Sequence, residues 1–408
     1  AEILALMDRL KRETGTAVMF ITHDMAVVAQ MADRVVVMFR GNKVEEGTVE
    51  EIFENPQHDY TKALLAAVPK LGEMRGKSAP EPMKLLGVEG QKIAPILGTE
   101  KTLLSVKNLT TRFAVKGGFL RRTVANVHAV EDVSFTLNKG QTMSLVGESG
   151  CGKSTAGRSV LRLVEPMAGE VNLDGVDIMS LNPQKLRRAR LDMQMIFQDP
   201  FASLNPQMQL IDQVAEPMRN FNIASGSEIN DRVASLFDRV HLPRSFMRRY
   251  PHEMSGGQRQ RIAIARALAL NPKLIIADEA VSALDVSVQA QVLNLMMELQ
   301  AELGLSYLFI SHDMAVVERV SHSVGVMYLG RIVEMGSRTA VFENPQHPYT
   351  KALMKAVPIA DPRLRKSEKD LNFKPIPSPI HGLDYKPEPS VYQEVEPGHF
   401  ILTTDSGY

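Results

Sequence analysis

Short apolar runs at Met143–Val146, Met193–Phe197, Leu274–Ala277 and Tyr307–Ile310 read as buried strands. Between them lie stretches with helical spacing, such as Gln258–Leu270 and Val288–Leu303. Strands alternating with helices predict an α/β fold built on a mostly parallel sheet. Leu103–Leu109 adds a partial strand pattern, and Val324–Tyr328, Leu329-Gly330 and Arg331–Glu334 read as a hairpin. Residues from about 200 to 265 carry helical patterning without a clear strand, which predicts a helical subdomain inserted in the α/β core.

The pattern also repeats. His23-Asp24-Met25-Ala26-Val27-Val28 returns as His312-Asp313-Met314-Ala315-Val316-Val317, and Phe53–Pro69 returns as Phe342–Pro358 with 14 of 17 positions identical. Both offsets are 289 (312 − 23 and 342 − 53), so nothing is inserted between the two matches. Ala1 then falls opposite Ala290, and about 70 residues in one register make a chance repeat untenable. Residues 1–72 are expected to be the C-terminal end of a first domain copy, and the opening Ala1 fits a piece of something longer. Residues 73–100 are expected to be a linker, 101–358 a complete copy, and 359–408 an extension. Six prolines between Pro375 and Pro397 predict extended, irregular chain in that extension.

Composition narrows the function classes. Lys+Arg and Asp+Glu are 47 each, giving zero formal net charge, which argues against a whole-protein basic footprint for nucleic acid. The run Arg187-Arg188-Ala189-Arg190 is accordingly read as a solvated helix face. A single cysteine rules out an intrachain disulfide or an all-cysteine metal site. No apolar stretch approaches the roughly 18–20 residues that span a bilayer, and no signal-peptide pattern opens the chain. The expectation is a soluble chain that meets a membrane only through partners.

Three motifs carry chemistry. Gly147-Glu148-Ser149-Gly150-Cys151-Gly152-Lys153-Ser154, followed by Thr155, fits the phosphate-binding loop and sits between a strand and a helix, as the mechanism requires. Its glycines let backbone N–H groups curl around phosphates, Lys153 reaches the β/γ-phosphates, and the Ser154 hydroxyl suits Mg²⁺. Leu274–Glu279 is an apolar strand ending in two carboxylates, with Asp278 placed for the Mg²⁺ shell and Glu279 to polarise water. Ser255-Gly256-Gly257-Gln258 opens a helix and offers a second anion-seeking end. Cys151 is read as a small loop-filling residue, with thiol reactivity as the alternative.

In their order these motifs resemble the ATP-binding cassette (ABC) ATPases. Gln198 in Phe197-Gln198-Asp199-Pro200 is similar to that family's Q-loop, Ser282-Ala283-Leu284-Asp285 to its D-loop, and His312 to its switch histidine. The resemblance covers about 101–340. It implies a phosphate-loop NTPase core with an antiparallel β subdomain, and ATP hydrolysis between two domains. Lys153, Ser154, Asp278 and Gln198 would hold Mg-ATP, Glu279 would act as base, and His312 would contact the γ-phosphate. Ser255–Gln258 and Asp285 would act across the dimer interface. Phe113 is the candidate aromatic for adenine, a strand-core position being the alternative reading. Met254 stands where the family more often has Leu, and Ala280-Val281 where it often has Pro-Thr.

Phe342–Thr350 and the tail segments Pro375–Ile380 and Glu396–His399 resemble the peptide, nickel and glutathione branch of bacterial importers. The double-domain glutathione importer ATPase is the nearest pattern. That resemblance implies two transmembrane permease subunits, a periplasmic solute-binding protein, a second ABC domain, no nucleic acid, and a place on the cytoplasmic face of the inner membrane. The alternative is a soluble ABC ATPase acting on nucleic acid or ribosomes, but no coiled-coil insertion or basic surface supports it.

Overall fold

Adding 289 to the bounds of the elements near the N-terminus reproduces elements near the end of the second copy. This holds in a computed structural model that describes residues 2–83, 85, 98–117, 121–357, 359–364 and 379–403. The stretch 86–97, at the heart of the expected linker, and Pro375 and Pro377 lie outside the described residues. The first copy contributes α1 (Glu2–Thr14), α2 (Met25–Met31), the hairpin β1 (Arg34–Phe39) and β2 (Asn42–Thr48), α3 (Val49–Glu54) and α4 (Asp59–Ala67).

The complete copy starts with β3 (Thr102–Gly117), β4 (Arg122–Asn138), β5 (Thr142–Val146), α5 (Lys153–Val160), β6 (Ala168–Leu173) and β7 (Val176–Asp177). Next come α6 (Pro183–Ala189) and β8 (Met193–Ile196), then the helical insertion α7 (Pro200–Ser203), α8 (Leu210–Asn220) and α9 (Ser227–Arg239), packed with α10 (Gly256–Leu268). The core resumes with β9 (Leu274–Asp278), α11 (Val286–Leu303), β10 (Ser306–Ser311) and α12 (Met314–Val320). After these come β11 (Ser323–Tyr328), β12 (Arg331–Ser337), α13 (Arg338–Glu343) and α14 (Pro348–Ala356). The tail adds β13 (Ile380–Gly382), β14 (Tyr392–Glu396) and β15 (His399–Leu402). The ranges of α2, β1, β2, α3 and α4 thus become those of α12, β11, β12, α13 and α14 without a one-residue error.

One segment breaks the correspondence. Residues 15–22 match β10 in register but form no strand, leaving Met19 86% and Ile21 93% exposed, whereas their counterparts Leu308 and Ile310 are fully buried. β10 is covered by β5 and β9, and no residue of this chain stands 289 positions before either strand. Without strand neighbours the same apolar sequence has nothing to pair with.

The main sheet runs β8-β9-β10-β5-β11 in parallel and continues antiparallel through β12, β15 and β14. Every residue of β5, β9 and β10 is buried. Side chains alternate between the two sheet faces, and each face has its own core. Tyr307, Phe309, Ile275 and Ala277 pack into one cluster, and Leu308, Ile310, Leu274 and Ile276 into the other. A second, antiparallel sheet, β13-β4-β3-β6-β7, supplies the β subdomain.

Two expectations are corrected. The tail is not wholly irregular: β14 and β15 extend the main sheet and β13 joins β4, while Pro387, Pro389 and Pro397 fall between strands, where no ladder hydrogen bond is lost. Within the segment expected to be a linker, residues up to 83 are hydrogen-bonded along the second copy. The arginine run of α6 is also more than a solvated face. Arg187 donates to the Asn220 carbonyl at 2.8 Å, and Arg190 to the Leu161 and Arg162 carbonyls.

Candidate functional site

The chain leaves buried β5 through a loop whose glycines are required by the backbone. Gly152 has φ 107°, and a Cβ there would lie 1.9 Å from the Ala129 carbonyl oxygen. Gly147, at φ 153°, would put one 2.2 Å from that of Met327. No L side chain fits either place. Gly152 caps α5, whose first N–H groups have no partner within the helix and so form an anion-seeking end. Lys153 is 3% exposed, and its Nζ donates to the carbonyls of Gly147 and Glu148, both at 2.8 Å. The loop is braced from outside. The Glu148 N–H donates to the Tyr349 hydroxyl at 3.1 Å, and the Gly330 N–H to the Cys151 carbonyl at 2.9 Å. Cys151 is buried, and burial pushes its thiol up, as the loop-filling reading expects.

At the end of β9, the Ser154 hydroxyl donates to Asp278 Oδ1 at 2.6 Å, and Arg158 reaches Oδ2 at 3.4 Å. Asp278 is fully buried. Burial raises its carboxyl above the usual range, and the Ser154 hydrogen bond opposes that rise. Glu279 follows with φ 48°, an uncommon left-handed conformation for a residue with a Cβ, held by its N–H donating to the Ile310 carbonyl at 2.9 Å. This turn swings its carboxylate to Gln198, whose Nε2 donates to Oε2 at 2.8 Å, and to His312, whose Nδ1 stands 3.3 Å from Oε1. Three residues 81 and 33 positions apart in sequence (279 − 198 and 312 − 279) thus meet at one carboxylate.

A cavity of about 240 Å³ opens on these groups. Ser149, Gly150, Gly152, Lys153, Ser154, Thr155, Gln198 and Glu279 line it, all expected from the sequence. Its other wall is Val127, His128, Ala129, Gly330 and Pro379, which sequence reasoning missed. The predicted Leu329-Gly330 turn and the tail segment Pro375–Ile380 had marked Gly330 and Pro379, with no hint that either reaches the cavity. Tyr349 was legible only as part of the repeated segment, with no hint that it touches the loop. Ser154 and Asp278 form a hard-oxygen pair, with the Gln198 carboxamide across the cavity, a donor set that fits Mg²⁺.

Phe113 does not line the cavity. It is 42% exposed, so it is no strand-core residue, and it pairs across β3–β4 with Val127, which does line it. Ser255–Gln258 and Asp285 are not part of this cavity either. Ser255 caps α10, receiving the Gln258 N–H at 3.4 Å while Gln258 Oε1 accepts the Ser255 N–H at 3.1 Å. Gly257 packs against α11 so closely that a Cβ would lie 2.2 Å from Val288 Cγ1. Asp285 caps α11 through the Val288 N–H at 3.0 Å.

Strand, glycine loop and helix, with a carboxylate pair at the end of the parallel strand two places along the sheet, define a phosphate-loop nucleotide-binding domain. The family model described as ABC transporter matches residues 130–282, and that described as oligopeptide/dipeptide transporter, C-terminal region, matches 44–87 and 333–381. The chain belongs to the ABC transporter ATP-binding proteins.

A glutathione import ATP-binding protein of Shigella flexneri is 54% identical over 416 residues, and that of Escherichia coli (strain K12) 54% over 415. Each alignment takes in 100% of this chain, which spans 66% of the relative's length. Among solved structures, cbiO1 of Clostridium perfringens, part of the ABC transporter complex cbiONQ, matches with TM-score 0.52 and 26% identity over 60% of this chain and 92% of its own. The ATP-binding cassette MJ0796, a dimer in a post-hydrolysis state bound to ADP and Pi, matches with TM-score 0.52 and 28% identity over 58% and 99%. Among the described residues, no helix is long and apolar enough to cross a membrane.

Proposed function

We propose that this chain is the ATP-hydrolysing part of a bacterial ABC importer for glutathione or small peptides. The observation that carries the reading is the carboxylate of Glu279, held between Gln198 and His312 beside a phosphate loop. ATP would enter the 240 Å³ cavity with its phosphates on the loop's N–H groups. Lys153 would exchange the Gly147 and Glu148 carbonyls for phosphate oxygens. Ser154 and Asp278 would hold Mg²⁺, which when bound neutralises charge on the β- and γ-phosphates. Glu279 would take the proton of the attacking water, with Gln198 and His312 fixing the direction of its carboxylate. Positioning and charge neutralisation do most of the work in phosphoryl transfer, which suits a site of backbone dipoles, one lysine and carboxylates.

Ser255–Gln258 and Asp285 would complete the site of a second ABC domain, an arrangement supported by the α10 helix end standing apart from its own chain's cavity. The further partners would be two permease subunits and a periplasmic solute-binding protein, placing the chain on the cytoplasmic face of the inner membrane. The named relatives support glutathione as solute. The test is uptake of labelled glutathione, dipeptides and oligopeptides by a strain lacking the gene, with and without complementation. Unchanged uptake of all three would refute the transport reading.

A further inference from the structure

Beyond α4 the first copy does not let go of the second. Residues 72–83 lie along α11, α12 and α13 and are gripped through their backbone. The Gly72 N–H donates to Glu318 Oε2 at 2.7 Å and the Gly76 N–H to Glu343 Oε1 at 3.0 Å. Arg338 donates to the carbonyls of Met74 and Lys77. Arg319 donates to those of Glu81 at 3.0 Å and Pro82 at 2.7 Å, and it pairs with Glu73 at 3.2 Å. Asn294 closes the far end, accepting from the Met83 N–H at 2.7 Å and donating to the Met83 carbonyl at 2.8 Å. Met74 is 1% exposed, and Arg338, Glu318, Asn294 and Arg319 are between 2% and 7% exposed. Charged groups this deep are costly unless partnered, and Glu318, Arg319 and Arg338 bond mainly to the strap's own backbone.

The repeat shows that this grip runs one way. Moved back by 289, Asn294, Glu318, Arg319 and Arg338 fall on Ala5, Ala29, Gln30 and Val49, so the first copy lacks the receptor side chains. Only Glu343 keeps its kind, in Glu54. Gly72 and Gly76 adopt φ 94° and 74°, where side chains are disfavoured. Their counterparts 289 residues on are Asp361 and Arg365, so neither strap glycine is repeated in the second copy's sequence.

We propose that residues 72–83 are a directional latch: the first copy's strap docks on a receptor built only into the second, and this fixes which copy holds which. None of the receptor residues lines the nucleotide cavity. The latch therefore stands independently of the functional reading and holds whether or not nucleotide is bound.

The test uses the full chain with a site-specific protease sequence inserted between residues 89 and 90. After cleavage, the N-terminal fragment should co-elute with the rest in gel filtration, with and without ATP. By hydrogen exchange, the amides of Gly72, Gly76 and Met83 should be at least about tenfold slower than in a free peptide. In R319A/R338A, and separately in a chain whose residues 72–83 carry the sequence of 361–372, that protection should vanish and the fragment should separate. Amides of β5 and β10 stay slow in both variants, which shows that the core is folded. Free-peptide exchange rates at the three amides in the unmodified chain would overturn the latch. So would retention of the fragment in the receptor variant, and retention in the sequence-swapped chain would overturn its direction.

Discussion

Glu279 holds a left-handed φ that costs on the order of 1–3 kcal/mol, and the gain is a carboxylate aimed at Gln198 and His312. Replacing it with Gln keeps the shape and a hydrogen-bond acceptor but removes the carboxylate proposed as the base. Glu279→Gln is expected to leave ATP binding intact while steady-state hydrolysis falls by about 10²–10⁴. Undiminished turnover in a phosphate-release assay would sink the assignment. Gly152 is a sharper case, because its positive φ and the Ala129 carbonyl 1.9 Å from a built Cβ forbid even a methyl group. Gly152→Ala should reshape the loop and weaken ATP binding at least about tenfold by calorimetry. An unchanged affinity would mean that the loop does not cradle the phosphates.

At the scale of elements, the segment before α14 does more than resemble a family pattern. His347 caps α14, its Nδ1 accepting the Tyr349 N–H at 3.1 Å, and Tyr349 in turn receives the Glu148 N–H of the phosphate loop. Burial holds the His347 imidazole down at about 4, from an ordinary 6.5. A base with a depressed folded value binds fewer protons folded than unfolded. Its contribution is therefore complete above pH 6.5 and is lost as pH falls from there towards 4. His347→Asn retains a capping side chain without a titrating group. It should flatten the fall in Tm between pH 6.5 and 4 in differential scanning calorimetry, and an identical acid limb would remove His347 as its source.

For the whole molecule, one complete domain supplies a phosphate loop, while the α10 end that would complete a site is not in the same cavity. On the proposed shared-site arrangement, two copies of this chain would form two such sites. Specific ATPase activity should rise with chain concentration and level off as dimers saturate, and Ser255→Ala should lower that plateau without weakening ATP binding to the loop. Constant specific activity from a strict monomer, shown by light scattering, would contradict this arrangement.

Strands β5, β8, β9 and β10, the phosphate loop, the carboxylate pair and the 289-residue repeat were all legible in the sequence, because each is set by local periodicity or by residue types at fixed spacing. The cavity's second wall was not, since Val127 and His128 of β4 carry no motif and Pro379 reaches it from the tail, more than 200 residues from the phosphate loop. The proposed latch was hidden for a related reason: its strap lacks periodicity, and the side chains that grip its backbone lie more than 200 residues away. Residues 15–22 make the same point in reverse. Their apolar pattern matches that of β10, yet without strand neighbours they form no strand. The sequence by itself determined which segments seek burial and which groups can hold phosphate. Tertiary structure alone decided what each meets, because backbone hydrogen bonds and buried charges must find partners wherever the fold supplies them.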